Sequence, residues 1–268
     1  TEQKNSSADI SPTAGQMPRL LGLAQASKVY REHPTLKDLE AFKKFSNGGN
    51  EVAFGTIGDA STSEGPFWET INAAGVLQVP MVMSVWDDGY GISVPREHQT
   101  TKGSISEALS GMQRTEDTKG YEIFVTKGWD YAHLCETYEK AVELARTKHI
   151  PVLVHVKEVN QPQGHSTSGS HERYKDAARL KWESDFDCIN KFKEWILNFD
   201  ADGQKLAIEE ELAQIAKEAK TYVNEQKKEA WNLFTQDLKQ DLERAISVLE
   251  NLANESANAN FIRREIEA

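Results

Sequence analysis

The stretch SVWDDGYGIS, residues 84–93, marks the point where an apolar run of the chain ends. The run begins at Val79 and consists largely of valine and methionine, which is typical of a buried β-strand. It stops at two adjacent carboxylates, Asp87 and Asp88, which glycine follows directly. Asp and Gly are ordinary turn residues, because the Asp side chain bonds nearby amides and Gly tolerates positive φ. The stretch alone therefore indicates either a simple turn or a functional site at the end of a strand.

Strands and helices alternate along the first two thirds of the chain. Runs of β-type residues and of helical apolar spacing follow one another, which is the pattern of βαβ units. The β-type runs lie at residues 51–57, 79–86, 121–126 and 151–157, and helical patterns lie at 66–77 and 130–148. We therefore expect an α/β fold with a parallel sheet and helices on both faces. In such sheets, ligands bind at the carboxyl ends of the strands.

The last third of the chain has a different pattern. Residues 206–252 contain no Gly or Pro, and apolar residues recur at helical spacing among many Glu, Lys and Gln. This predicts two or more long amphipathic helices with solvated outer faces. We expect an α/β domain over residues 1–200 and a helical extension over residues 201–268.

The composition argues against several classes of protein. The chain has 268 residues and a formal net charge of −11, which disfavours nucleic acid or an anionic membrane as the main partner. No stretch approaches the roughly 18 apolar residues of a membrane span, and the N-terminus lacks an apolar signal segment. Cys135 and Cys188 are far apart in helical patterns and indicate neither a disulfide framework nor a zinc site. A cytoplasmic location is the resulting expectation.

A second polar strand end precedes the first one in the chain. The run at residues 51–57 leads to Asp59, and Ser61 with Glu64 fits a capping box that starts a helix. The free amides of such a helix N-terminus bind anions. Asp59 and Asp88 lie 29 residues apart, so one strand-helix-strand crossover brings both carboxylates to the same edge. Together they predict a hard divalent cation, Mg²⁺ or Ca²⁺, that bridges the carboxylates to a phosphate ester.

The two strand ends together resemble a family motif. The run GDA at residues 58–60, followed after a spacer by Asp87 and Asp88, is similar to the thiamin diphosphate motif G-D-G…N-N. The longer runs GDASTSEGPFWETINAAGVLQVP and DDGYGISVP resemble the decarboxylating first component of 2-oxo acid dehydrogenase complexes, in its α subunit or the α half of a fused chain. The branched-chain and pyruvate enzymes are its best-known members. The resemblance extends over about residues 10–197.

The resemblance implies roles around a metal ion and a diphosphate. Asp59 and Asp88 would bind Mg²⁺ through their side chains, and Tyr90 would bind it through its backbone carbonyl. The cofactor-binding residues implied are Gly58, Asp59, Ala60, Ser61 and Asp88. Ala60 replaces a Gly of the motif, which is tolerable unless the backbone needs positive φ. Asp88 stands where the family has Asn, so an oxygen ligand is kept but a negative charge is added near the diphosphate.

The N-terminal part of the match concerns the other end of the cofactor. The run SPTAGQMP, residues 11–18, resembles the family stretch S-P-x-x-x-Q-x-P, whose backbone at the position of Thr13 holds the aminopyrimidine. We assign Ser11 and Thr13 to cofactor binding on this basis. Gly15 replaces a residue that some members use as a K⁺ ligand, which argues against K⁺ here. The run also fits a helix that starts at proline, and the two interpretations are compatible.

A polar loop contains the catalytic candidate. The run QGHSTSGS, residues 163–170, resembles the family loop G-H-S-x-S, which reaches the active site and is phosphorylated in mitochondrial members. His165 is the candidate for proton transfer or anion stabilisation near neutral pH. Ser166 and Ser168 match phosphoacceptor positions. Without the resemblance, the same run indicates a flexible Ser/Gly loop with an exposed His.

The resemblance also implies a reaction and partners. The reaction is decarboxylation of a 2-oxo acid, branched-chain or pyruvate-like, followed by acyl transfer to lipoamide. A β subunit or a fused β half would supply the carboxylate that activates thiamin, a lipoyl acyltransferase would accept the acyl group, and αβ units would pair as an α2β2-like dimer. Because the family's α subunit begins upstream of the match, we expect the first domain to be N-terminally incomplete. The C-terminal helices would suit a linker toward a β half.

Two alternatives to this function stay open. Another thiamin enzyme, acetoin-cleaving or transketolase-like, would carry a similar motif. A non-catalytic assembly module would keep the fold without productive cofactor binding. Ala60 and Asp88 favour this second alternative, as do Trp86 and Gln161, which stand where some members have arginines.

Overall fold

The computed structural model describes residues 10–36, 39–165 and 169–267, and the chain divides into two compact units, Thr1–Asn198 and Phe199–Ala268. In chain order, the strands are β1 (Ala53–Gly58), β2 (Met81–Trp86), β3 (Tyr90–Gly91), β4 (Val94–Pro95), β5 (Glu122–Lys127), β6 (Val152–Lys157), β7 (Asp200–Ala201) and β8 (Gln204–Lys205). The helices are α1 (Met17–Glu32), α2 (Gly65–Leu77), α3 (Ile105–Ala108), α4 (Tyr131–Lys148), α5 (Ala177–Asp185), α6 (Cys188–Asn198), α7 (Glu209–Glu255) and α8 (Ala259–Glu267).

A four-stranded parallel sheet forms the centre of the first unit. Its strand order is β1-β2-β6-β5, and every neighbouring pair is parallel. The four β-type runs of the sequence all form strands, and their ends differ from the predicted ends by at most two residues. The two predicted helices that follow the first and third strands are α2 and α4. The predicted parallel α/β fold is therefore confirmed.

Helices cover both faces of the sheet because side chains alternate along its central strands. On one face, Met83 of β2 belongs to an apolar cluster with Phe67 of α2 and residues of α1. On the other face, Val82 of β2 belongs to a second cluster with Ala141 of α4. Apart from Trp86 at the end of β2, the apolar residues of β2 and β6 are buried on both sides, which explains why these strands read as nearly continuous apolar runs in the sequence.

The start of α2 differs from the sequence prediction. Ser61 does not cap an α-helix; it lies in a separate 3-10 turn, Ala60–Ser63, and α2 begins only at Gly65. Proline at the second helical position sets this start, because a residue without an amide hydrogen fits only the first turn of a helix. Glu64 takes the N-cap position without a side-chain capping bond. The prediction that Ser61 and Glu64 form a capping box was therefore wrong.

The second unit consists of a short hairpin and two helices. Strands β7 and β8 pair antiparallel, and α7 then runs without interruption for 47 residues, where the sequence predicted two or more helices. Ala253 is buried where α8 packs on the end of α7. Elsewhere α7 exposes large apolar side chains, including Tyr222, Val223, Trp231, Phe234, Leu238, Leu242 and Val248. None of the helices in the described ranges combines the length and apolarity of a membrane span.

Tyr121 is a buried core residue whose hydroxyl group lowers the stability of the fold. Its ring lies against α2 at Gly75, where a Cβ atom would sit 3.3 Å from the ring. Its hydroxyl is buried and has no hydrogen-bond partner among the described residues. Burial also raises the pKa of Tyr121, so the hydroxyl stays neutral.

Tyr121→Phe should raise the free energy of unfolding by about 1 kcal/mol, because it removes a buried hydroxyl that makes no hydrogen bond. Urea denaturation of the two proteins measures the change. The matched control is Tyr138→Phe, which removes a hydroxyl that lies 2.6 Å from Ser84 Oγ and should lower stability. Equal effects of the two substitutions would contradict the prediction.

Candidate cofactor and metal site

The carboxyl ends of β1 and β2 lie side by side, as the sequence predicted. Gly58 is paired with Trp86 in the parallel register, and the Asp59 amide donates to the Trp86 carbonyl at 3.0 Å. The Asp87 amide continues the ladder on the other side of β2 by donating to Val156 of β6 at 2.9 Å. This pairing places Asp59 beside the two carboxylates that follow β2.

A cavity of about 650 Å³ opens at this edge of the sheet. Its lining includes most of the residues that the sequence assigned to the site: Thr13, Gly58, Asp59, Ala60, Ser61, Asp88, Tyr90 and His165. Trp86 and Gln161 line the same cavity. Ser11 does not line it and is exposed to solvent in a bend before α1. Ser166 and Ser168 lie outside the described residues.

Asp59 is the strongest sign that a cation belongs in the cavity. Its side chain is 5% exposed, and Oδ2 has no hydrogen-bond partner in the part of the chain that the structure describes. Burial, followed by the negative charges of Asp87 and Asp88, raises the pKa of Asp59 to about 7. A buried oxygen that lacks a partner and faces neighbouring carboxylates fits a hard divalent cation.

Asp88 completes the acidic part of the donor set. Burial raises the pKa of its carboxyl group, while the Tyr90 amide and the charges of Lys175 and Arg179 act in the opposite direction. Within the described ranges, no three His, Cys, Asp or Glu side chains form a metal-binding group. A cation held by Asp59 and Asp88 would therefore take its other ligands from backbone carbonyls, water or a bound anion, as Mg²⁺ commonly does.

Ala60 fits its position without the conformational freedom of Gly. It belongs to the 3-10 turn and is absent from the residues with positive φ, so the departure from the family motif causes no strain there. Its methyl group instead restricts the facing chain. A Cβ atom on Gly91 would lie 2.8 Å from the Cβ of Ala60, which is too close for ordinary packing.

Asp87 is more than the turn residue that the sequence indicated. It is 2% exposed, accepts from the Gly89 amide at 2.9 Å, and pairs with Arg96 at 3.0 Å and with His155 Nε2 at 3.0 Å. Burial alone would raise its pKa, but the hydrogen bond with His155 and the charge of Arg96 hold the pKa below its ordinary value. Asp87 is therefore neutralised by protein groups and supports the turn instead of lining the cavity.

Sequence reasoning missed the groups that hold this turn. His155 is fully buried on β6, and its Nδ1 lies 2.8 Å from Ser106 Oγ. Ser106, His155 and Asp87 have the residue types of a hydrolytic triad, but none of them lines the cavity. Arg179 donates to the Asp88 carbonyl at 2.7 Å from α5. A polar His inside the run PVLVHVK was the one available signal, whereas nothing in the sequence linked Arg179 to Asp88.

Asp59→Asn should stabilise the cation-free protein, because it removes the charge of a buried carboxylate. A carboxyl group whose pKa rises from 3.8 to about 7 on folding disfavours the folded state fully above pH 7, and this effect disappears as the pH falls toward 4. We expect a gain of about 1 to 3 kcal/mol at pH 8 and a smaller gain at pH 5. Urea denaturation in EDTA at both pH values measures it, with the exposed Asp117→Asn as control. A gain that does not depend on pH would argue against this origin.

Comparison with known proteins supports the family resemblance. The family model described as "Dehydrogenase E1 component" matches residues 2–239. The pyruvate dehydrogenase E1 component subunit alpha of Rickettsia bellii is 25% identical over 183 residues, which cover 67% of this chain and 53% of that protein. The mitochondrial 2-oxoisovalerate dehydrogenase subunit alpha 1 of Arabidopsis thaliana is 25% identical over 187 residues, which cover 69% of this chain and 34% of that protein.

A solved transketolase from Campylobacter jejuni aligns with 70% of this chain and 33% of its own, at 16% identity and a TM-score of 0.42. The chain thus spans about a third to about half of the length of these relatives. The family model, in contrast, matches most of the chain, including both strand ends of the site. The chain belongs to the Dehydrogenase E1 component family.

Proposed function

We propose that this chain binds thiamin diphosphate together with Mg²⁺ and takes part in the decarboxylation of a 2-oxo acid. The observation that carries the proposal is the meeting of Asp59 and Asp88 in one cavity, with an Asp59 oxygen that lacks a protein partner among the described residues. Membership of the dehydrogenase E1 family supports the reaction class. Relatives named for pyruvate and for 2-oxoisovalerate dehydrogenases support a pyruvate-like or branched-chain substrate.

The residues that line the cavity suit both the metal ion and the diphosphate of the cofactor. Asp59 and Asp88 would hold Mg²⁺ with the backbone carbonyl of Tyr90, and the amides of Ala60 and Ser61 would face the diphosphate. Ca²⁺ would fit the same oxygen ligands, and the proposal does not include K⁺. When bound, thiamin diphosphate supplies the carbanion stabilisation that decarboxylation of a 2-oxo acid requires.

Charge explains why the metal is essential in this proposal. Asp59 and Asp88 would both repel a diphosphate, and the neutral residues Trp86 and Gln161 line the cavity where some family members carry arginines. A divalent cation held by the two carboxylates offsets their negative charge and can itself bind the diphosphate oxygens. Thiamin diphosphate should therefore bind only in the presence of Mg²⁺ or a similar cation.

The partners of the proposed reaction remain part of the proposal. A β subunit or fused β half would supply the activating carboxylate, and a lipoyl acyltransferase would accept the acyl group from an α2β2-like assembly. The relatives that are named as alpha subunits support this arrangement. The cytoplasmic location stays a prediction.

Asp88→Asn tests the metal site directly. The substitution keeps an oxygen ligand, removes one negative charge and restores the family residue, so binding of thiamin diphosphate with Mg²⁺ should be equal or tighter. Asp88→Ala should weaken binding about tenfold or more, because it removes a ligand. Isothermal titration calorimetry of the full-length protein with its β-type partner measures both, and Asp117→Asn is the surface control. If the unsubstituted protein shows no metal-dependent binding, the result would favour the non-catalytic assembly module.

His165→Ala should leave folding unchanged, because the side chain is exposed, but should lower acyl transfer about a hundredfold. His165 lines the cavity, which supports a role for its imidazole in donating or accepting a proton. Turnover of 2-oxoisovalerate and pyruvate with a dye acceptor, followed by transfer to lipoamide, measures the effect. Unchanged turnover would remove His165 from the mechanism, and turnover of neither acid would favour another thiamin enzyme.

A further inference from the structure

A buried ionic cluster that includes Arg179 lies beside the cavity, and its carboxylate, Glu183, has no role assigned above. Lys175 and Glu183 are 5% and 1% exposed, and Lys175 Nζ donates to both Glu183 oxygens at 2.8 and 2.9 Å. Arg179, one helical turn before Glu183 on α5, donates to Glu183 Oε1 from Nε at 2.8 Å. One buried carboxylate is therefore shared by two cations.

Each cation of the cluster also holds a backbone carbonyl at the rim of the cavity. The Nη2 of Arg179 donates to the carbonyl of Asp88 at 2.7 Å, at the start of the turn that carries the proposed metal ligands. Lys175 Nζ donates to the carbonyl of Gln161 at 2.9 Å. The same carbonyl accepts from the Gly164 amide at 2.8 Å, which closes a turn directly before His165. Glu183 therefore orients two cations that hold two separate sides of the cavity.

Aromatic contacts connect the same two segments. The rings of Tyr90 and Tyr174 lie 5.4 Å apart, and Lys175 and Arg179 lie 5.5 and 5.3 Å from the centre of the Tyr90 ring. The Tyr174 hydroxyl packs so closely on Gly164 that a Cβ atom there would collide with it. The turn after Asp88 and the turn before His165 are thus packed against one cluster.

The energetics of such a cluster favour a role in geometry over a role in stability. Desolvation of a buried ion pair offsets much of its attraction, so apolar residues of similar volume would stabilise the fold at least equally well. A guanidinium group, in contrast, can hold a carboxylate and a carbonyl at fixed positions through its planar set of donors. Fixed positions are what a metal site with few protein ligands requires.

We propose that Glu183 is a positioning residue that, through Arg179 and Lys175, holds the Asp88–Tyr90 turn and the His165 turn in the placement that lets them act on one bound metal and cofactor. The proposal rests on the proposed function for the identity of that metal and cofactor. Glu183 does not line the cavity, so its effect is transmitted through the two cations.

Two substitutions distinguish the contact of Arg179 with the Asp88 carbonyl from the contact of Lys175 with the Gln161 carbonyl. Arg179→Lys keeps a cation beside Glu183 but removes the second nitrogen, Nη2, that reaches the Asp88 carbonyl while Nε holds the carboxylate, so only the link to the Asp88–Tyr90 turn is lost. Glu183→Gln keeps the side-chain volume and removes the shared charge, so the contacts of Arg179 and of Lys175 with the two backbone carbonyls are both loosened. Lys181→Gln is the matched control, because Lys181 forms an exposed pair with Asp185 on the same helix.

The measurements use the full-length protein with its β-type partner. The first is the Mg²⁺ concentration for half-maximal binding of thiamin diphosphate, and the second is hydrogen exchange of the cofactor-free protein at residues 88–91 and 161–165. Arg179→Lys should raise the Mg²⁺ requirement about tenfold and speed exchange only at 88–91. Glu183→Gln should raise it at least as much and speed exchange in both segments, while the control changes neither.

Two results would overturn the proposal. One is an unchanged Mg²⁺ requirement and unchanged exchange in both substituted proteins. The other is a loss of melting temperature with wild-type Mg²⁺ affinity, which would make the cluster purely structural. If the wild-type protein binds no thiamin diphosphate, the proposed function fails by itself. In that case the exchange of the two segments in the cofactor-free protein still supports or overturns the positioning role.

Discussion

The parallel pairing of β1 with β2 is the constraint on which the candidate site depends. The hydrogen bond from the Asp59 amide to the Trp86 carbonyl fixes the end of one strand against the end of the other. Three carboxylates, Asp59, Asp87 and Asp88, consequently gather at one edge of the sheet, where Asp59 and Asp87 are buried and Asp88 is partly buried. Their mutual repulsion is compensated by protein groups at Asp87 but not at Asp59.

The negative charge of Asp87 is compensated by protein groups, whereas that of Asp59 is not. His155 and Arg96 hold Asp87 ionised with a lowered pKa, and the carboxylate in turn fixes the Gly89 amide. The pKa of Asp59 is raised to about 7 by burial and by its acidic neighbours, and its Oδ2 finds no partner within the described residues. A site that leaves one buried carboxylate uncompensated is prepared for a cation. Under the proposed function, a cation held there would let the acidic chain bind an anionic cofactor.

The sequence predicted much of the fold and the location of the site. Alternating apolar and helical runs gave the strands within two residues, and the spacing of Asp59 and Asp88 predicted their convergence. The capping box failed because the proline after Gly65 determines where α2 begins, which local capping preferences did not weigh. The role of Asp87 was underestimated for two reasons. Its partner His155 lies far away in the sequence on β6, and its partner Arg96, after β4, stands among ordinary polar residues.

The sequence by itself determined the order of strands and helices and the polar residues that end each strand, because periodicity and turn chemistry are local properties. Only the tertiary structure decided which carboxylate is compensated and which remains available, because the partners of Asp87 meet it through folding: His155 comes from β6 and Arg96 from the segment after β4. Arg179 reaches Asp88 from 91 residues further along the chain. Its contact with the Asp88 carbonyl depends on the packing of α5 and on Glu183, and a tertiary contact of this kind has no period that a sequence can display.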